Sequence, residues 1–169
     1  MRMKFVVLFF SIVIFSFGQK KYPKPDKIPS LLFYIQHSLN QNTYVYELNL
    51  VNGNLNINNP IKVFRINYED RGQKENLTLI QRKYAYGVNY LSPDKKKFSL
   101  SANKAIPMVL KSDGKNYWIE IEINHKKIIL ERIFIQSDRH SKGLNPKVEG
   151  IIFYGKDIKG NIIQEKFIP

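Results

Sequence analysis

From Tyr117 to Asn124 the chain alternates without a break. Tyr117, Ile119, Ile121 and Ile123 fall on one side, and Trp118, Glu120, Glu122 and Asn124 fall on the other. Successive side chains of a strand point to opposite faces, so this run can bury its apolar half only as a half-buried β-strand. The same period recurs along the chain from Ser30 onward. Leu31, Phe33 and Ile35 oppose Leu32, Tyr34 and Gln36; Tyr44, Tyr46, Leu48 and Leu50 oppose Val45, Glu47 and Asn49; Phe64, Ile66 and Tyr68 oppose Arg65, Asn67 and Glu69. Further apolar runs at 98–102, 106–110, 128–135, 148–156 and 162–168 complete the set.

Turn chemistry separates these runs. Asn40-Gln41-Asn42 and Asn52-Gly53 supply residues that tolerate left-handed backbone, an Asn-rich loop at 54–59 leads to Pro60, and Asp70-Arg71-Gly72 closes the third strand. Asp113-Gly114 predicts a type I′ hairpin, Asn124-His125 a second tight turn, and Asp157 with Gly160 the ends of a type I turn. One segment departs from the period: Leu77, Ile80 and Tyr84 recur at helical spacing, with Asn76 as cap and Gly87 as left-handed stop. The expected fold is all-β, an antiparallel sandwich or barrel of about nine strands, with one short helix near 76–86 whose apolar stripe covers an open end of the sheet.

The first residues follow a different logic. Arg2 and Lys4 precede an apolar run, 5–15, and then Ser16-Phe17-Gly18. This is the order of a secretory signal peptide, cleaved between Gly18 and Gln19. The run is shorter than the about 20 residues that span a bilayer, so no transmembrane anchor is expected after cleavage. With no cysteine in the chain, a lipoprotein is excluded and so is a disulfide framework. Residues 19–29 carry Pro23, Pro25 and Pro29 among four lysines and read as a disordered Pro/Lys-rich linker. Residues 30–169 then form a single β-rich domain, exported to the periplasm or the extracellular space.

Charge narrows the partners. The chain holds 27 Lys and Arg against 14 Asp and Glu, a net charge of +13. An anionic envelope polymer is the partner such a balance suggests. The lysines at 95–97, 111, 115, 126, 127, 156 and 159 fall beside separate turns, which suits solvated ends that keep strands from aggregating. Nucleic acid, which calls for one clustered basic face, is not expected.

Catalytic groups are sparse. Histidine occurs at 37, 125 and 140 only, too widely spaced to signal a metal site, and no cofactor motif is present. Ser137-Asp138-Arg139-His140-Ser141 holds a base, a carboxylate and two hydroxyls, but neighbours on one loop point apart, whereas triads converge from distant segments. Glu120 and Glu122 share a strand face, as the wet side of an amphipathic strand requires. Tyrosines at 34, 44, 46, 84, 86 and 90 offer rings that can line a groove. The balance favours binding over catalysis.

Residues 32–49, LFYIQHSLNQNTYVYELN, and 81–87, QRKYAYG, resemble an uncharacterised family of secreted bacterial proteins catalogued as a domain of unknown function (number 4833 in its series). The resemblance covers roughly residue 30 to the end and implies one exported domain without an assigned activity. Polar and aromatic groups within those stretches, Gln36, Asn40, Asn42, Gln81, Arg82 and Tyr86, are the candidate ligand-binding residues. The expected protein is a non-enzymatic envelope domain that binds a ligand or partner. A hydrolase of envelope polymers and a structural or assembly component of the envelope are the alternatives.

Overall fold

The computed structural model describes residues 22–138, 140 and 146–169. The expected signal peptide lies outside the described residues, as do Arg139 and Ser141. Alternation yields thirteen strands: β1 (Leu31–His37), β2 (Thr43–Leu48), β3 (Leu50–Val51), β4 (Asn54–Leu55), β5 (Ile61–Asn67), β6 (Gln73–Asn76), β7 (Val88–Tyr90), β8 (Lys97–Leu100), β9 (Asn103–Ser112), β10 (Tyr117–Ile123), β11 (Lys126–Ser137), β12 (Val148–Lys156) and β13 (Ile162–Phe167). Nine of them lie side by side in the order β6-β5-β2-β1-β11-β10-β9-β8-β7, and the sheet curls into a half-barrel. The β12–β13 hairpin adds to β11, and β3 with β4 forms a separate small ribbon.

The concave face holds the main core. Phe33, Tyr46, Phe98, Met108, Ile119, Ile128, Leu130 and Phe153 are all buried there, and the Phe33 and Tyr46 rings stack at 4.2 Å. Each such side chain removed from water contributes about 1.5–3 kcal/mol. Ile119, Ile121 and Ile123 of β10 point inward with Tyr117 packed against them, as the alternation predicted.

In β1 the alternation slips. A bulge between Leu31 and Phe33 puts Leu32 with Phe33 and Ile35 in the main core, while Leu31 packs beside Tyr34 on the convex face. One inserted residue shifts every side chain before it to the other face, and local alternation does not reveal the insertion. Neighbouring strands are antiparallel with one exception: β1 runs parallel to the second half of β11, with Tyr34 opposite Arg132 and His37 opposite Ile135. The first residues of β11 pair with β10, and the strand takes β12 along 129–137. Gly155 sits opposite Leu130, where the β11–β12 register shifts.

Tyr34, Val45 and Phe64 form a smaller cluster on the convex face, with Ile28 packed on it. Residues 22–29, the described part of the 19–29 segment expected to be disordered, lie over this face instead. The Gln36 amide donates to the Pro23 carbonyl at 2.6 Å, the Tyr68 hydroxyl to the Lys24 carbonyl at 3.3 Å, and Tyr22 meets Phe134 edge-on at 4.9 Å. Prolines remove ladder donors, but the carbonyls along the segment remain free to accept from side chains.

The helix is shorter than its pattern. It runs as α1 (Leu79–Gln81) and widens into a π-type turn (Arg82–Tyr86), while 75 and 76 belong to β6. Thr78, not Asn76, caps it: its hydroxyl accepts from the Gln81 N–H at 3.2 Å, and the Gln81 side chain accepts from the Thr78 N–H at 3.0 Å. Gly87 is extended (φ −66°, ψ 162°) rather than left-handed. Its missing side chain matters for space, because a Cβ there would overlap the Arg82 carbonyl and reach within 2.9 Å of the Ser101 Oγ. Leu77 is buried, but Ile80 and Tyr84 face water. A wider turn breaks the 3.6-residue phase, so of the stripe expected to cover the sheet only Leu77 does so, while Ile80 and Tyr84 point outward.

Candidate functional site

The two ends of the strand order face each other across the opening of the half-barrel. Between them lies a cleft of about 280 Å³, with Ile61 and Val63 of β5, Leu77, and Val88 and Tyr90 of β7 as its apolar wall. Asn76 and Arg82 bring polar groups to it from the end of β6 and the helical turn, while Lys62 borders it but turns its ammonium to Glu47 on the convex face of β5. Tyr90 bridges the opening: its hydroxyl donates to Asn59 Oδ1 at 3.0 Å and accepts from the Ile61 N–H at 3.4 Å.

The helical wall stands on an aromatic pillar. The Tyr46 hydroxyl donates to the Tyr86 carbonyl at 2.7 Å, the Tyr44 and Tyr86 rings stack at 3.4 Å, and the Tyr86 hydroxyl lies 2.7 Å from His37 Nε2. Burial pushes His37 down to about 4, so its imidazole is neutral at neutral pH. Burial also pushes the Tyr86 and Tyr46 hydroxyls up, with the neighbouring Tyr44 adding to the effect. A neutral imidazole facing an unactivated phenol is a hydrogen-bonded support and holds no charged nucleophile.

Beside the pillar, Arg65 pairs with Glu75, and the Asn67 amide donates to Glu75 Oε1 at 3.1 Å. The Arg65 hydrogen bond, then that of Asn67, holds the Glu75 carboxyl below its ordinary range. This anion is committed to its partners. Among the described residues no Asp or Glu lines the cleft, and Arg82 makes no ion pair. Lys62 stands 3.7 Å from Glu47 Oε1 with half its side chain exposed, a pairing that solvent screens strongly. Arg82 therefore gives the cleft a cation beside an apolar wall, suited to an anion with a nonpolar body.

Of the residues singled out by sequence, Arg82 lines the cleft and Tyr86 supports its wall. Gln81 completes the helix cap. Asn40 Oδ1 accepts from the Asn42 N–H at 3.0 Å, which makes the pair a turn, with Asn42 Oδ1 buried and unpartnered. Gln36 is buried away from the cleft, donating to Pro23 and, at 2.9 Å, to Thr43 Oγ1. Replacing it with leucine strands both acceptors, so Gln36→Leu is expected to lower stability by about 2 kcal/mol in a urea melt while leaving the cleft unchanged. Tyr34 lies on the convex face and Tyr84 is exposed, apart from the other tyrosines. Asn76 was missed, because it looks like an ordinary strand-end residue until the sheet curls.

The other constellations stay dispersed. His140 lies 3.2 Å from Asp138 Oδ1 on an exposed turn, its side chain almost wholly in water. Glu120 and Glu122 sit on the outer face of β10 with Lys127 beside them. Among the described residues no three His, Asp or Glu side chains gather as a metal would need.

No curated protein and no solved structure matches the chain. The family described as Domain of unknown function (DUF4833) matches residues 33–166, a span that holds both the curled sheet and the cleft. A match over most of the chain places it: this protein belongs to the DUF4833 family.

Proposed function

We propose that the protein is an exported, non-enzymatic binding domain that holds a small anionic molecule in the cleft at the opening of its half-barrel. The observation that carries this reading is Arg82, which makes no ion pair, beside an apolar wall with no carboxylate among the described lining residues. A bound phosphate or carboxylate would complete the hydrogen bonding of the guanidinium, and Ile61, Val63 and Val88 would accept the ligand's apolar part. An anionic polymer of the envelope presents such groups, and the export expected from the leader would bring the protein to it.

Calorimetric titration with phosphorylated and carboxylated envelope saccharides tests the site. Arg82→Glu is expected to weaken binding at least about tenfold, since hydrogen bonds to charged groups contribute about 1.5–3 kcal/mol. Lys62→Glu, the same charge reversal on the opposite face of β5, should leave the affinity nearly unchanged. Equal affinity in wild type and both variants would remove the cleft from consideration. Export is checked separately by sequencing the N-terminus of protein recovered from the envelope, where Gln19 is expected first.

A further inference from the structure

We infer that the cleft takes its anion from a lipid surface, and that Leu79, Ile80 and Tyr84 are the tip that enters the acyl layer beside it. This rests on the reading of the cleft as an anion site. A helical turn flanked by buried sheet normally turns its apolar side inward. Here Leu79 is 84 % exposed, Ile80 61 % and Tyr84 63 %, although Tyr86 at the end of the same segment packs against the core. The capping box fixes the turn in this attitude, so the exposure belongs to an ordered element.

Charge complementarity selects the occupant. Arg82 and Lys83 are exposed within the same turn, α1 has no acidic residue in its first turn, and Lys83 Nζ lies 5.2 Å from the Tyr84 ring centre. Apolar side chains flanked by cations, with a tyrosine among them, match the boundary between headgroups and acyl chains of an anionic bilayer. Arg82 also lines the cleft, so a headgroup phosphate held there sets the tip at the depth of the acyl chains. A second copy of this chain fits poorly. Two-fold contact would press Arg82 and Lys83 toward their own counterparts, and three side chains fall far short of the roughly 800 Å² per partner of a stable interface.

Flotation of the full chain with vesicles is the test, comparing equimolar phosphatidylglycerol and phosphatidylcholine with phosphatidylcholine alone. The wild type should float with the anionic vesicles and release at high salt. Leu79→Ser with Ile80→Ser should reduce vesicle partitioning at least about tenfold, because both aliphatic groups return to water. That double variant should still bind soluble glycerol phosphate like the wild type. Lys83→Glu should reduce partitioning by at least about fivefold, the worth of one cation near an anionic surface. Flotation undiminished in the double variant, or equal on neutral vesicles, would overturn the inference. Glycerol phosphate binding without flotation would overturn it and leave the cleft reading standing, whereas loss of both would end both. Concentration-dependent pairing relieved by the double variant, without flotation, would show that the tip serves self-association.

Discussion

Gly155→Ala is expected to lower stability by about 3–5 kcal/mol, a large share of the about 5–15 kcal/mol a domain has in reserve. A Cβ at this position would overlap the Ile129 carbonyl of the facing strand and stand 2.7 Å from Ile128 Cγ2. A Cβ has no rotamer, and the carbonyl belongs to the ladder, so only separation of β11 from β12 relieves the overlap. Gly155 faces the residue at which the register shifts, and β11 carries β1, β10 and β12 together, so loosening there reaches three partners. Gly150→Ala is the control. Its added Cβ would meet Lys166 Cε at 2.7 Å, the far part of a long side chain that can swing aside, and the loss should stay below about 1 kcal/mol. Urea melts of the two variants measure the difference. Equal midpoints would refute the close approach of β12 to β11.

Acid should destabilise the fold through His37 before its carboxylates titrate. The unfolded imidazole titrates near 6.5, and burial pushes the folded one down to about 4. Above pH 6.5 both states are neutral and His37 contributes no pH dependence. As pH falls from 6.5 toward 4, the unfolded chain takes a proton that the folded chain refuses, and stability drops by up to about 3 kcal/mol. Below 4 both states are protonated and the loss levels off. Glu75 and Glu165, held low by Arg65 and Lys126 respectively, add their own losses at lower pH. The window from 6.5 to 4.5 therefore isolates the histidine. His37→Gln should flatten the stability curve across that window, and a curve with the wild-type slope would place the titration elsewhere.

Local signals were read well where the structure they encode is local. The faces of β10 follow its alternation, Asn124 and His125 both take positive φ as their tight turn requires, and the Gly160 N–H donates to the Asp157 carbonyl at 3.0 Å in the final hairpin. The Asp113-Gly114 turn is not the expected type I′ hairpin. Only Gly114 has positive φ, and the Asp113 carboxylate gathers the N–H groups of Lys115 and Asn116 into a four-residue loop. Propensity marks where a chain turns, while side-chain hydrogen bonds decide how.

Features assembled from distant segments were out of reach. The bulge after Leu31 depends on how β1 meets β2, and the parallel pairing of β1 with β11 has no mark in either strand alone. Arg82 and Tyr86 stand out because they lie in a distinctive run, but Asn76 gains its place only when the two ends of the sheet face each other. Gln36 attracted attention for the same reason as Arg82 and turned out to be a buried tie.

Ser38 and Ser137 extend the parallel pairing through hydrogen bonds between residues 99 positions apart. A nascent chain emerging from its N-terminus must finish β1, β2, β5 and β6 long before the strand that seats β1 has been made. The early meander waits with one side open, vulnerable to pairing with strangers, and closure of such a distant loop makes maturation slow. Whatever shelters the chain during that delay has to leave the inner side of β1 free for β11 to arrive.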